Sequence, residues 1–323
     1  MRNQGIVLAL GVLLVAGCTK LDPKAAPIDI SNRPIRVVAT TNIVADLVRV
    51  VGGDRVDVHA LMGPGVDPHL FKASAGDVAR MAGADVVIYN GLHLEGKMTE
   101  VFEQMHARGI PTLAVAEHAV PDTLRRESAL FQGNYDPHVW FDVALWRRAC
   151  ETVQEFFAEL DPAHAGIYDS NSVAYTETLE VLDAYVAEQA LSVAAAQRVL
   201  VTSHDAFGYF GRAYRFEVRG LQGISTATEA GTADVQEVAE MVATRRIPAM
   251  FVESSVSPRG IEAVREAVRA RDFDVVIGGT LYGDALAAPD MPAGTYFGMV
   301  RQNIDTIVRA LKPAVEHSDA VSD

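Results

Sequence analysis

The chain has 323 residues, of which 49% are hydrophobic and 22% charged, so it is long enough for about two globular domains and too apolar to be intrinsically disordered. Its formal net charge is −14, from 28 basic and 42 acidic residues. The sequence has no cluster of lysines and arginines, which excludes an ordinary nucleic-acid-binding surface. The acidic balance suits a protein that attracts cations over long range.

The first residues predict export and a lipid anchor. Arg2 precedes an apolar stretch at residues 6–16, which is too short to span a bilayer and ends in Val15-Ala16-Gly17-Cys18. This ending resembles a bacterial lipobox. We expect residues 1–17 to be a lipoprotein signal peptide, Cys18 to be acylated, and residues 18–34 to form a tether to the membrane. An ordinary secretory signal with an unmodified cysteine is the alternative.

The first half of the chain alternates strand and helix patterns. Strands are predicted at residues 35–41, 56–62, 85–90 and 112–116, with helices at 43–51, 75–82 and 95–108. Such alternation is typical of a parallel sheet covered by helices. We therefore expect an N-terminal α/β lobe over residues 35–161. Its last segment, 143–160, has helical periodicity and predicts a buried thiol for Cys150.

Residues 162–196 predict one long helix between the halves. This segment has no proline after Pro162 and no glycine after Gly166, and its apolar residues recur at helical spacing. A helix of about 30 residues spans about 45 Å, which is longer than one lobe needs. We expect a rigid connection that allows a small tilt between the lobes but no wide hinge.

The second half repeats the alternation. Strands are predicted at residues 198–202, 217–222, 249–253 and 274–277, with helices at 207–214, 235–245, 258–271 and 296–311. We expect a C-terminal α/β lobe over residues 197–315 and a flexible tail at 316–323. The predicted fold class is α/β, with two lobes that each contain a mostly parallel β-sheet flanked by helices and are joined by one long rigid backbone helix.

Four polar residues follow predicted strands and form a candidate metal site. His69 and His138 each end an Asp-Pro-His triplet, in which proline stiffens the turn before the imidazole. His204 and Asp284 follow strands of the second half. Ligands of open α/β sheets bind beyond the carboxyl ends of the strands, so a cleft between the lobes would bring the four together. Three imidazoles and one carboxylate fill the coordination of a zinc-like ion, without thiolate.

Other motifs are assigned structural roles. His59 alternates within a strand and is predicted to pack there, and the remaining histidines are expected at structural or surface positions: His93, His106, His118, His164 and His317. Residues 91–98 resemble a phosphate-binding loop, but Met98 stands where a magnesium-ligating hydroxyl is needed and Glu95 would repel phosphate. The sequence contains no GxSxG, HExxH or CxxC motif.

At these residues the chain resembles the cluster A-I solute-binding proteins of ABC transporters for zinc and manganese. The resemblance covers nearly all of residues 35–311. It is carried by seven segments in order: VVATTNI (37–43), GVDPHLF (65–71), NGLHLEG (90–96), DPHVW (136–140), TSHDAFGYF (202–210), FVESS (251–255) and IGGTLYGD (277–284).

The resemblance implies that His69, His138, His204 and Asp284 bind one Zn²⁺ or Mn²⁺ as the transported ligand. A histidine at the third position is typical of zinc-type relatives, whereas the loop at residues 117–135 lacks the histidine-rich insertion of many zinc importers. Glu253 is a candidate hydrogen-bond acceptor for a ligand imidazole. The implied partners are a membrane permease with its cytoplasmic ATPase.

We therefore expect an exported, membrane-anchored, monomeric binding protein, at the periplasm or the outer face of the cytoplasmic membrane, with no enzymatic activity. One alternative is a surface adhesin stabilised by a structural metal. The other is an outer-face zinc hydrolase, which would need an open coordination position and a general base such as Asp205 or Glu253.

Overall fold

The computed structural model describes residues 29–126 and 133–312. The predicted signal peptide, Cys18, most of the tether, His317 and the tail at 316–323 lie outside the described residues. Within those two ranges, every helix is too short or too polar to cross a bilayer.

The N-terminal half forms one parallel sheet covered by helices, as predicted. Its strands pair in the order β2-β1-β3-β4, all parallel. The strand β1 is central and largely buried, which explains its nearly continuous apolar sequence. The elements in chain order are β1 (Ile35–Ala39), α1 (Asn42–Gly52), β2 (Val56–Ala60), α2 (Ala75–Ala82), β3 (Val86–Tyr89), α3 (Thr99–Ala107), β4 (Thr112–Ala114) and α4 (Val115–Ala119).

Two long helices follow, α5 (Val143–Leu160) and α6 (Ala165–Leu191), and α6 is the predicted connecting helix. It has 27 residues and is entered through a 3₁₀ turn at Pro162–His164. It ends five residues before the predicted limit. The Arg198 side chain donates to the carbonyls of Leu191 and Val193, so it satisfies backbone acceptors at the helix end and supports termination there. Cys150 on α5 is buried and free, as expected.

The C-terminal half repeats the parallel arrangement. Strand β5 pairs with β6 and strand β7 with β8, both in parallel, and β5 lies beside β7. The elements in chain order are β5 (Val199–His204), α7 (Gly208–Tyr214), β6 (Glu217–Gln222), α8 (Thr232–Arg245), β7 (Ala249–Glu253), α9 (Arg259–Arg269), β8 (Val276–Leu281) and α10 (Tyr296–Leu311).

In the C-terminal half, two strand ends differ from the prediction. His204 is the last residue of β5 and does not lie beyond it, because Gln222 of β6 pairs with it. Strand β8 continues to Leu281, although the sequence places its end at 277. The glycines that suggested a turn lie inside the strand, where a Cβ at Gly278 would overlap Phe251 and the helix α10. Gly279 adopts φ 148° next to an irregularity in the β7–β8 register.

The two lobes share one hydrophobic core. The largest buried cluster contains side chains from both halves and from the helices α5, α6 and α10. Phe141 stacks on Phe207 across the lobes with ring centroids 4.2 Å apart. The Asn42 side chain donates to the carbonyl of Leu286 and accepts from its amide, at 3.1 and 2.9 Å. These contacts oppose a wide separation of the lobes.

We predict that metal addition changes the relative position of the lobes only slightly, because a packed core permits sliding of about 1–2 Å more readily than hinge opening. Spin labels on cysteines at the exposed positions Gln104 and Glu240 measure the distance between the lobes with and without metal. A reorientation by tens of degrees would contradict the rigid connection.

Candidate metal centre

The structure brings the four predicted ligands together in the cleft between the lobes. One donor atom from each of His69, His138, His204 and Asp284 lies within 4.8 Å of the others, and all four side chains are buried. His69 follows β2, His138 precedes the turn that starts α5, His204 ends β5 and Asp284 follows β8. Each lobe therefore supplies two of the four groups, as predicted.

The distances between these atoms fit a single cation. The Nε2 atom of His138 lies 3.3 Å from the Nε2 atoms of both His69 and His204. Metal–nitrogen bonds of about 2.0–2.1 Å in a tetrahedral site place neighbouring ligand atoms about 3.3 Å apart. The Asp284 Oδ1 lies 3.4 Å from His138 Nε2, and its Oδ2 lies 3.4 and 3.9 Å from the Nε2 atoms of His204 and His69.

The orphaned oxygens of Asp284 also point to a cation. Both are buried, and neither has a hydrogen-bond partner among the residues that the structure describes. Buried carboxylates without partners are costly, so they call for a compensating ligand. A divalent ion between Asp284 and the three imidazoles would satisfy both oxygens.

The aspartates of the two Asp-Pro-His triplets hold the backbone of the imidazoles. Asp67 Oδ1 accepts the amide of His69 at 2.9 Å, and Asp136 Oδ1 accepts the amide of His138 at 3.0 Å. These are Asx turns, in which a side chain replaces a backbone acceptor. From the sequence, this stiffness is attributed to the proline alone. The aspartate two residues before each histidine was the available signal.

Two carboxylates lie against the outer nitrogens of the imidazoles. Asp136 Oδ1 is 2.8 Å from His138 Nδ1, a contact that the sequence does not predict. Glu253, the predicted acceptor, takes the His204 amide on Oε1 at 2.9 Å, and its Oε2 lies 2.8 Å from His204 Nδ1. The latter pair is not aligned as a directed hydrogen bond, yet the described residues offer neither atom another partner. The short distance makes it a close electrostatic contact that orients the ring.

The electrostatics of the metal-free site favour protons on two of the imidazoles. Burial, together with the charges on His138 and His204, outweighs the Asp284 carboxylate and lowers the pKa of His69 to about 3. Burial also opposes charge on His138, but the hydrogen bond to Asp136 and the Asp284 carboxylate outweigh it and raise its pKa to about 9. Glu253 and Asp284 similarly outweigh burial and raise the pKa of His204. For Asp284, burial is outweighed by the charges on His204 and His138, so its pKa is lowered.

The loop that resembles a phosphate-binding loop contains its own anion. The Glu95 carboxylate is buried and accepts the amides of Asn90 and Gly91 at 2.9 and 3.2 Å, together with the hydroxyl of Thr40 at 2.6 Å. It therefore uses the backbone donors that a phosphate would need. The Asn90 side chain donates to the carbonyl of Pro137 at 3.0 Å, so this loop supports the residue beside His138.

The other described histidines stay outside the cluster. His93, His106 and His118 are exposed, and His164 is half-buried with Nδ1 2.9 Å from Asp161 Oδ1. The prediction that His59 packs inside its strand is wrong. Strand β2 lies at the edge of the sheet, and the pleat turns His59 towards solvent.

Two parallel α/β lobes, a long connecting helix and a buried His₃Asp cluster between the lobes define a two-lobed metal-binding protein. Residues 37–310 match the family of the zinc-uptake complex component A, periplasmic (ZnuA). The chain belongs to this family, whose members are components of metal uptake and not enzymes.

The similar proteins extend over almost the whole chain. The zinc-binding protein TroA of Treponema pallidum (strain Nichols) is 47% identical over 96% of this chain and 98% of that protein. The manganese-binding lipoprotein MntA of Bacillus subtilis (strain 168) is 44% identical over 96% of this chain and 100% of that protein. A solved structure of periplasmic TroA superposes with a TM-score of 0.83, at 48% identity, and covers 87% of this chain and all of that one.

We predict that metal binding at neutral pH releases protons. The pKa of His138, about 9, and the raised pKa of His204 mean that a metal ion must displace protons from both rings. Affinity should therefore keep rising with pH up to about 9, by about tenfold per pH unit for each displaced proton. Calorimetric Zn²⁺ titrations at pH 7.5, in buffers with different ionisation enthalpies, count these protons. Equal heats in all buffers would contradict this account.

Proposed function

We propose that this protein binds one Zn²⁺ or Mn²⁺ outside the cytoplasm and delivers it to an ABC-type import permease with its cytoplasmic ATPase. The observation that carries the proposal is the buried cluster of His69, His138, His204 and Asp284, with donor atoms spaced as around a single divalent ion. A cleft whose two walls each supply two ligands can release its ion when the walls separate.

The arrangement supports binding and delivery over hydrolysis. A catalytic zinc keeps an open position for water, whereas four protein groups surround this one. Of the two candidate bases, Glu253 lies against His204 and accepts its amide. Asp205 lies beside Arg126, with 3.9 Å between the charged atoms. An adhesin would hold a structural ion permanently. Reversible exchange of the bound metal ion therefore distinguishes the transport function from the adhesin alternative.

The donor set favours zinc in raw affinity. Imidazole suits Zn²⁺ well, and the Irving–Williams order places Zn²⁺ above Mn²⁺ for a given site. The orphaned oxygens of Asp284 can also bind an ion together, which suits the larger coordination number of Mn²⁺. The relatives TroA and MntA are named for zinc and manganese respectively. The delivered ion then depends on supply, so one site serves either metal.

We further propose that the protein is a monomeric lipoprotein. In this proposal residues 1–17 are the signal peptide, acylated Cys18 is the anchor, and residues 18–34 tether the N-terminal lobe to the membrane. The proposed domain organisation is completed by lobes at 35–161 and 197–315, by the predicted connecting segment at 162–196, within which α6 is the helix, and by a tail at 316–323. The anchor would keep the metal site close to the permease.

The soluble form, residues 19–323, tests the proposal when it is purified without chelator and titrated competitively with Zn²⁺ and Mn²⁺. We predict about one exchangeable ion per chain. His138→Ala should weaken binding by at least about a hundredfold, since even the outer partners of metal ligands contribute about ten- to a hundredfold.

His59→Ala is the matched control, because His59 is an exposed histidine of the same lobe and should leave affinity unchanged. The thermal midpoint of both metal-free variants reports folding separately from binding. An unchanged affinity in His138→Ala would remove this residue from the site. A wild-type protein that binds neither ion would contradict the proposed function.

A further inference from the structure

Arg126 lies where the two lobes and the metal cluster meet, although it is not a ligand. Its Nη1 donates to Asp136 Oδ2, the oxygen that faces away from His138. Its Nη2 lies 3.9 Å from the Asp205 carboxylate, in the residue that follows His204. Arg126 and Asp136 belong to the N-terminal half, whereas Asp205 belongs to the other half. The Arg126 guanidinium therefore contacts Asp136, which holds the ligand His138, and approaches Asp205, which follows the ligand His204.

Hydrogen bonds of the Arg126 backbone hold this residue beside Asp136 and the other lobe. The Asp136 amide donates to the Arg126 carbonyl at 2.8 Å, so the two residues are joined through both main chain and side chain. The Arg126 amide donates to the Tyr209 hydroxyl at 3.2 Å, which adds a second contact to the other lobe. The two backbone bonds hold the Arg126 main chain near the cleft independently of the side-chain ion pairs.

The C-terminal lobe leaves space for this guanidinium. A Cβ at Gly208, the first residue of α7, would overlap the Arg126 guanidinium, so only glycine allows the approach. The Arg126 side chain retains 33% exposure and that of Asp205 retains 30%, whereas Asp136 is fully buried. The ion pair between Arg126 and the buried Asp136 is therefore the stronger one, and the contact between Arg126 and the partly exposed Asp205 is weaker because water screens it.

The contact with Asp136 has a consequence for the ligand His138. A buried carboxylate is stabilised by a paired cation, and Arg126 is paired with Asp136 on the oxygen opposite the one that contacts the His138 ring. With Nδ1–H donated to Asp136, the Nε2 lone pair of His138 faces the metal. Without Arg126, the Asp136 carboxylate would be buried without a paired cation. Its hydrogen bond to the His138 ring would then be weaker.

We propose that Arg126 is a positioning residue that couples the orientation of the His138 ring to the contact between the lobes, and thereby slows the release of the bound metal. The proposal rests on the proposed function, since it assumes a metal at the His₃Asp cluster. Arg126 would hold the Asp136 carboxylate in its contact with the His138 ring and, through Asp205, resist separation of the cleft walls. Both effects act on the dissociation rate.

The test is a double-mutant cycle on the rate of Zn²⁺ release to an excess of chelator, using Arg126→Gln, Asp205→Asn and the double variant of the 19–323 protein. Arg126→Gln should speed release by about ten- to a hundredfold, the range for outer partners of metal ligands. Asp205→Asn should speed release by up to about fivefold, as for a partly exposed ion pair. The double variant should release no faster than Arg126→Gln, because both changes remove the same contact.

Two further variants separate positioning from general destabilisation. Arg126→Lys keeps one charge for Asp136 but lacks the fork that reaches Asp205, so it should release metal at the rate of Asp205→Asn. Arg125→Gln is the matched control, because Arg125 donates to the carbonyls of Glu117 and Val120 on the same lobe and should leave release unchanged.

Thermal midpoints of the metal-free variants identify any variant that fails to fold, and Asp205→Asn with Arg126→Lys then carries the test. Effects of Arg126 and Asp205 that multiply, or a wild-type release rate in Arg126→Gln, would overturn the coupling while leaving the metal site intact. A wild-type protein without chelatable metal would instead overturn the proposed function.

Discussion

The charge balance of the buried cluster is the constraint on which the rest of the structure depends. Asp136, Glu253 and Asp284 are almost completely buried, and among the described residues only Asp136 has a lysine or arginine, Arg126, in direct contact. Two negative charges therefore remain to be balanced around the ligands. In the metal-free protein the pKa values of His138 and His204 are raised, so these two imidazoles carry the balancing protons. One divalent ion supplies the same charge, so binding amounts to an exchange of protons for metal.

The fold keeps this charged cluster in position by holding it from several elements at once. His204 and Asp284 come from the parallel strands of one lobe, and Asx turns hold His69 and His138 in the other. The Trp140 indole, two residues after His138, donates to the Gly283 carbonyl at 3.1 Å, next to Asp284. Tyr296 in turn donates its hydroxyl to the Trp140 carbonyl at 2.7 Å. The distance between His138 and Asp284 is thus fixed largely by the protein, whether or not an ion is bound.

Much of the fold could be predicted from the sequence, because apolar periodicity and turn residues dominate in α/β lobes. The bounds of α2, α5, α10, β6 and β7 agree with the predicted segments. The end of β8 could not be predicted, since Gly278 and Gly279 usually mark a turn and here serve close packing against Phe251 and α10. The exposure of His59 depends on which strand forms the edge of the sheet, and local alternation does not encode that order.

The ligand set was predictable from two repeated triplets and from the position of strand ends, but the network around it was not. Asp136 is part of a conspicuous triplet, yet its contact with Nδ1 of its own histidine depends on the turn geometry. Arg126 is ten residues earlier in a polar loop and gives no local signal. The contacts of Asp136 and Arg126 depend on how the two lobes pack together. The hydrophobic periodicity of a single segment contains no information on that packing.

Anomalous X-ray diffraction at the zinc edge, from crystals of the 19–323 protein grown with Zn²⁺, tests the central claim most directly. We predict one strong anomalous peak in the cleft, bonded to the Nε2 atoms of His69, His138 and His204 and to the Asp284 carboxylate, with metal–nitrogen distances of about 2.0–2.1 Å. A peak elsewhere, or an empty cluster in crystals that contain zinc, would contradict the account.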